Sequence, residues 1–540
     1  MQRAPWRIFA LAAAVLAITV AAVVAVVQRT DDATVTERPG AAGRQAATSH
    51  LPATEPDPSA LPTGPSGAPS AIPFVRSFDE ASGPGWAPAD STRVIADPEG
   101  PLADEADRLA RELDAGRAAD GTRAGDVELV LDPDADTGEE GYSLVTRDRR
   151  VTVTGSTEAG VFYGTRTVRQ SVADRGGLAN GTVEDRPDRP QRGLMLDIAR
   201  KHFPADWIED RLREMAELKL NQLQLHFSDD QGFRVASESH PEVVSDTHLG
   251  KDEVRGIIDL AESLHITVIP EIDSPGHLGA VLAAHPGLQL TRADGSPVDG
   301  AIDIADPAAA DIVDDLIREY ADLFPGRWLH LGGDEYAAVT VEDPEAAHPG
   351  LAEAARERHG EDAGVRDLAT AWLNDRAETA REAGKVPQVW NDGMHRGGVV
   401  APDQDRQVTY WTGRELGARE PEEYLEGGWQ LVNLNSEYLY YVLGEPNEFT
   451  YPTGERIYRE WTPDVLRGDR PVPGDLAGAR HVPGGRLAVW CDLADAQTPE
   501  QVADGIRLPL AAVAQKLWNP DEPGASWEEF TRLAQRVAPA

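Results

Sequence analysis

The sequence predicts an α/β protein, a (β/α)8 TIM barrel preceded by a small α+β domain, with an N-terminal membrane-spanning or signal segment. Three observations carry that expectation. Eight short apolar segments alternate with amphipathic helical patterns over residues 189–540. Acidic residues gather where several of those segments end, the face on which barrels of this kind keep their active sites. Composition shifts near residues 30, 73 and 189 divide the chain into 1–29, 30–72, 73–188 and 189–540.

The first segment opens with Arg3 and Arg7, followed by an uncharged stretch from Ile8 to Val27. About 20 such residues span a bilayer's hydrocarbon core, and basic residues ahead of them predict export of the remainder. A cleaved signal has an apolar region of about 7 to 15 residues, so the length favours an uncleaved anchor. The expected location is therefore extracellular, secreted or anchored to the cell membrane. Residues 30–72 are rich in Pro, Ala, Ser, Thr and Gly and predict a disordered tether.

Apolar periodicity begins near Pro73. "PLADEADRLARELDAG" places Leu102, Ala106, Leu109, Ala110 and Leu113 at helical spacing. "VELVLD" reads as a strand and "GYSLVTRDRRVTVTG" as a hairpin. A helix follows, with Ser156 as its expected N-cap.

The barrel strands are read at 193–199, 222–229, 266–273, 328–335, 386–392, 407–413, 430–435 and 486–492. A doubly wound sheet would need a glycine-rich phosphate turn after a strand, and the sequence has no GxGxxG there. The formal net charge of −41 argues against a nucleic-acid partner. A single cysteine, Cys491, excludes an internal disulfide framework and a cysteine-based zinc cluster. HxH and HExxH spacings are absent, so neither a catalytic metal nor another cofactor is expected.

The stretch "WLHLGGDEYAAV", 328–339, sets Asp334 and Glu335 directly after a strand and two glycines. Close carboxylates push their pKa values apart and leave one acid and one anion near neutral pH, which is equipment for glycosidic cleavage. A solvated acidic turn is the bland alternative, and the position at a barrel strand's end argues against it. Trp390, Trp411 and Trp490 end three later strands and could stack on a sugar ring.

"HLGGDEY" resembles the signature of glycoside hydrolase family 20, the β-N-acetylhexosaminidases. In order along the chain, "RGLMLDIARKHFP", "LQLHFSDDQGFRV", "VIPEIDSPGH", "VWNDGM" and "AVWCD" are also similar to that family, and the likeness spans roughly 75–535. The resemblance implies that Glu335 is the general acid and then base. Asp334 would orient the substrate's own 2-acetamido group, whose carbonyl attacks the anomeric carbon, so that an oxazolinium-like intermediate forms and configuration is retained. It further implies that Arg192 binds sugar hydroxyls, that Asp273 and His277 form a dyad tuning Glu335, and that Asp229 supports the site. Trp390, Trp411 and Trp490 would box the acetamido group and ring, and Tyr438 would donate to the acetamido oxygen.

Two departures bear on the sugar's far side. The family's usual Tyr-x-Asp appears with Tyr440 in the aspartate's place, and its Trp-x-Glu becomes Trp490-Cys491-Asp492. The expected partner is a glycan with terminal β-linked N-acetylglucosamine or N-acetylgalactosamine. A pocket for a substituted sugar or a disaccharide, as in lacto-N-biosidases, is an alternative; a catalytically weak surface carbohydrate-binding protein is another.

Overall fold

The computed structural model describes residues 57, 60–414 and 418–538. The expected membrane-spanning or signal segment and most of the expected tether lie outside them. Among the described residues no helix is long and apolar enough to cross a membrane.

Seven strands form the first sheet: β1 (Ser77–Glu80), β2 (Arg93–Ile95), β3 (Gly116–Ala118), β4 (Val127–Leu131), β5 (Tyr142–Arg147), β6 (Arg150–Gly155) and β7 (Gly181–Asp185). Their order is β1-β7-β5-β6-β4-β2-β3. β5 and β6 are the predicted hairpin, turning at Asp148 and Arg149, both at positive φ. Helices Ala103–Glu112 and Glu158–Arg175 cover the sheet. The second is capped by Thr157, which accepts from the Gly160 N–H, and not by Ser156. Thr157 has the extended backbone an N-cap requires.

The predicted tether is too long at its C-terminal end. Leu61, Ala71 and Ile72 are buried. The Gly64 N–H donates to the Pro84 carbonyl, and the Ile72 N–H donates to Gln170 Oε1 at 2.8 Å. Arg149 Nη1 holds the carbonyls of Leu61 and Pro62, each at 2.8 Å. A proline-rich segment can order when backbone partners and an apolar surface replace the core it lacks.

The barrel contains β8 (Gln191–Asp197), β9 (Gln222–His226), β10 (Thr267–Glu271), β11 (Trp328–His330), β12 (Val386–Trp390), β13 (Gln407–Tyr410), β14 (Leu431–Asn433) and β16 (Gly484–Trp490). Every predicted strand is present. Neighbours are parallel, and β16 closes the ring by pairing with both β8 and β14. A further strand, β15 (Tyr440–Val442), pairs with β16 outside the ring, setting Tyr440 opposite Ala488 and Val442 opposite Trp490.

Polar side chains fill much of the barrel's centre. Arg486 donates to Gln224 and Gln388, Gln224 donates to Glu271, and Trp390 Nε1 donates to the other Glu271 oxygen at 2.8 Å. Such a network is tolerable only when its members are paired. Burial lowers the Arg486 pKa to about 9.

Arg192 opens β8 and therefore lies at the barrel end opposite Asp197. Fully buried there, it binds Glu140 through both terminal nitrogens at 2.8 and 2.9 Å, and donates to the carbonyls of Lys219 and Arg189. It fastens the small domain to the barrel and does not reach the acidic face, which corrects its expected role on sugar hydroxyls. Lys219 with Asp185, and Trp518 donating to Asp185 at 2.9 Å, make further ties between the two domains.

Candidate active site

Beyond β11, Gly332 and Gly333 adopt φ values of +67° and +103°. A Cβ on Gly332 would stand 1.6 Å from Asp273 Oδ1, so no other residue fits there. The turn is held by Gly333 N–H donating to Asp273 and by Glu335 N–H donating to Asp392 at 2.9 Å. Glu335 itself has a φ of +47°, a conformation sparsely used by side-chain-bearing residues. The result separates the two carboxylates: the Asp334 side chain is 10 % exposed and that of Glu335 is 59 % exposed.

One cavity receives both. Arg200, His226, His277, Asp334, Glu335, Trp411, Tyr440, Val442, Asn447, Phe449, Trp490 and Asp492 line it. Of the residues expected at the site, Glu335, Asp334, His277, Trp411, Trp490 and Asp492 thus meet in one place. Asp229 and Asp273 lie just beneath, buried. Trp390 is also beneath, its ring against His330 and Trp490.

His277 stands between acids. Its Nδ1 faces Asp229 at 3.5 Å, and its Nε2 faces Asp334 and Glu335 at 3.6 and 3.7 Å. Burial lowers its pKa, but Asp334 and Asp229 prevail and raise it to about 10. The expected dyad is corrected here: Asp229, not Asp273, faces the ring nitrogen away from the catalytic pair. Burial opposes ionisation of Asp229, yet contacts with His226 and His277 hold its pKa below the ordinary carboxylate range. His226 Nε2 sits 2.7 Å from Asp229 Oδ2, and its Nδ1 lies 3.3 Å from Glu271.

Asp273 plays another part. Burial and the charge of Asp334 push its pKa well above the usual value, which favours its protonated form beside Asp334. Desolvation and Asp334 likewise raise Glu335, against His277 and Arg200. Asp392, which accepts from Glu335 N–H and Trp411 Nε1, is pushed up to about 8 by burial and then by Asp334.

Tyr438 is outside the cavity. Its ring lies under Arg456 at 4.0 Å and its hydroxyl donates to Glu460. Tyr440 occupies the cavity, parallel to Trp411 with centroids 5.7 Å apart, and burial followed by Asp334 keeps its hydroxyl protonated. The expected tyrosine lies two residues from the one in the cavity, because Tyr438 belongs to a turn closed on Asn435, whereas Tyr440 begins β15. With Tyr440 as the tyrosine of Tyr-x-Asp, the aspartate's place holds Val442.

Arg200 was also missed. It pairs with Asp197 at 3.1 Å and Asp229 at 2.8 Å, lies against Trp490, and is the guanidinium that faces the cavity. Its signal was available: it follows the strand-ending Asp197 by three residues, so it belongs to the acidic face. Asn447 and Phe449 carried no such signal, since they sit on an irregular loop where Glu445, Asn447 and Glu448 have positive φ. Triads within and beneath the cavity, such as Asp273, His277 and Asp334, are close enough to chelate a cation, yet the same carboxylates and imidazoles already balance one another's charge.

A family model, Glycosyl hydrolase family 20 catalytic domain, matches residues 190–521, and the model for domain 2 of that family matches 68–186. A lacto-N-biosidase of Bifidobacterium bifidum is 29 % identical over 474 residues, covering 86 % of this chain and 41 % of that protein. A β-hexosaminidase of Porphyromonas gingivalis is 26 % identical, covering 71 % of this chain and 51 % of its own length. The chain therefore spans about half or less of these two relatives. A Streptomyces plicatus β-hexosaminidase variant in complex with the product GlcNAc superposes with a TM-score of 0.70 at 26 % identity, covering 88 % of this chain and 96 % of that one. With the barrel and the domain before it both matched, and the Asp-Glu pair seated at the barrel's acidic face, this chain belongs to glycosyl hydrolase family 20.

Proposed function

We propose that the chain is a retaining β-N-acetylhexosaminidase that uses its substrate's acetamido group as nucleophile. The observation that carries this reading is the division between Asp334 and Glu335. Glu335, open to the cavity and with a raised pKa, is suited to protonate the leaving oxygen and later to activate water. Asp334, enclosed by His277, by Asp273 with its raised pKa and by Tyr440, is suited to receive the acetamido N–H and to balance positive charge on an oxazolinium-like intermediate. Tyr440 supplies the hydroxyl for the acetamido oxygen, the part once expected of Tyr438. Trp411 and Trp490 give apolar walls for the ring, and Arg200 and Asp492 the polar end for its hydroxyls.

A second reading, release of a disaccharide such as lacto-N-biose, rests on Val442. A valine cannot bind the hydroxyl that an aspartate would take, and Asn447 and Phe449 extend the wall beyond it. Aryl β-N-acetylglucosaminide and aryl β-lacto-N-bioside separate the two. Wild type should hydrolyse at least one; Asp334→Asn should lower kcat/KM by about 10²- to 10⁴-fold, and Glu335→Gln should lower it too, least where the aryl leaving group is activated. Hydrolysis of neither, with glycan binding retained, would support a binding protein.

A further inference from the structure

Away from the cavity, two histidines and a glutamate converge between the segment after β9 and the short helix Gly279–Ala284. His240 Nδ1 and His285 Nε2 both approach Glu242 Oε1, at 3.0 and 2.9 Å, and one ligand atom from each residue falls within 4.8 Å of the others. In a tetrahedral zinc site, bond lengths of about 2.0–2.2 Å set ligand atoms roughly 3.3 Å apart. Opening the present contacts by a few tenths of an ångström and drawing the two imidazoles together reaches that spacing.

We infer that His240, Glu242 and His285 form a binding site for one divalent cation of the zinc class. Two imidazoles and one carboxylate suit zinc and leave a fourth position for water. Second-sphere features fit as well. The other nitrogen of His240 is buried without a hydrogen-bond partner and points to Asp315, 3.6 Å away, the carboxylate–histidine arrangement that orients metal-binding imidazoles. The backbone is braced on both sides. His240 N–H donates to Ser237 Oγ, which donates to Glu319, and Glu319 also accepts from the N–H of Glu238 and of Ser239. His285 N–H donates to the Val281 carbonyl, and a proline follows each histidine.

The site joins the segment that carries Asp229 to the one that carries His277. These segments already touch through Gly279 N–H, which donates to Asp230 at 2.8 Å. A cation there is a clamp on the two strand-end segments and takes no part in bond cleavage.

The test titrates the purified, chelator-stripped full chain with zinc chloride by calorimetry and with cobalt(II) by visible absorption. Wild type should take up one zinc per chain and give the intense cobalt bands of a four-coordinate site. His285→Ala should abolish both, and Glu242→Gln should weaken zinc binding about 10- to 100-fold. Glu242→Gln keeps the side chain's shape and guards against misreading a folding defect in His285→Ala. No zinc uptake by wild type, or equal uptake by wild type and both variants, overturns the assignment.

Discussion

Glu335 and Asp334 can divide two tasks because the backbone between them turns each into different surroundings. Gly332 and Gly333 make that turn possible, while Asp392 and Asp273 pin it. In the proposed mechanism the two variants fail differently. Glu335→Gln should lose most activity on substrates with a poor leaving group and much less on an activated aryl glycoside, which needs no acid to depart. Asp334→Asn should lose activity on both, and kcat/KM, which reports departure of the leaving group, distinguishes them when measured across a leaving-group series. The pH dependence of stability has a definite sign. Asp392, at about 8, and His277, at about 10, both bind protons more tightly in the folded state than at their ordinary values. Each therefore contributes stability that is full below its unfolded pKa and is lost as pH rises through the folded one. Replacing Asp392 by Asn removes the first component, so urea unfolding at pH 5 and pH 8 should show a smaller decline for the variant than for wild type.

At the scale of elements, the strands were legible because each is a short apolar run between amphipathic helices, and their C-terminal acids marked the working face. Side-chain partners were less so. Asp229 and His277 come from different strand-end segments, and only the closed ring sets one opposite the other; the family resemblance, carried over onto "EIDSPGH", implied Asp273 instead. Arg192 was misplaced because it begins its strand, whereas cavity residues follow strand ends. That correction is testable: Arg192→Ala removes the only charge that balances Glu140 among the described contacts and leaves it Asn221 and Tyr163 as donors, so it should cost up to about 3–5 kcal/mol in denaturant unfolding. The kcat of the folded fraction should be unchanged. Gly332→Ala should fare worse than an ordinary surface change. Its methyl group would meet Asp273, and a loss on the order of 3 kcal/mol, with activity falling alongside, is expected.

For the molecule as a whole, the small domain and the barrel share buried polar ties, and residues 60–72 belong with them. The composition of that segment argued for a tether, since proline, glycine and alanine cannot build a core. Its order comes from outside itself, through Gln170, Arg149 and Arg175, which no local reading of composition could show. A chain beginning at residue 73 should consequently unfold at a lower temperature than one beginning at 57. Burial of Ile72 alone is worth about 1.5–3 kcal/mol. The central claim, that the substrate's acetamido group is the nucleophile, is tested most directly by following hydrolysis of aryl β-N-acetylglucosaminide or aryl β-lacto-N-bioside, whichever is cleaved, by proton NMR. The matching aryl glycoside lacking the acetamido group is assayed beside it. The account predicts that the β-anomer of the released sugar appears first and that the glycoside without the acetamido group is hydrolysed at least 10³-fold more slowly, on the order of what a well-placed intramolecular nucleophile supplies. First appearance of the α-anomer, or comparable rates on the two glycosides, would contradict it.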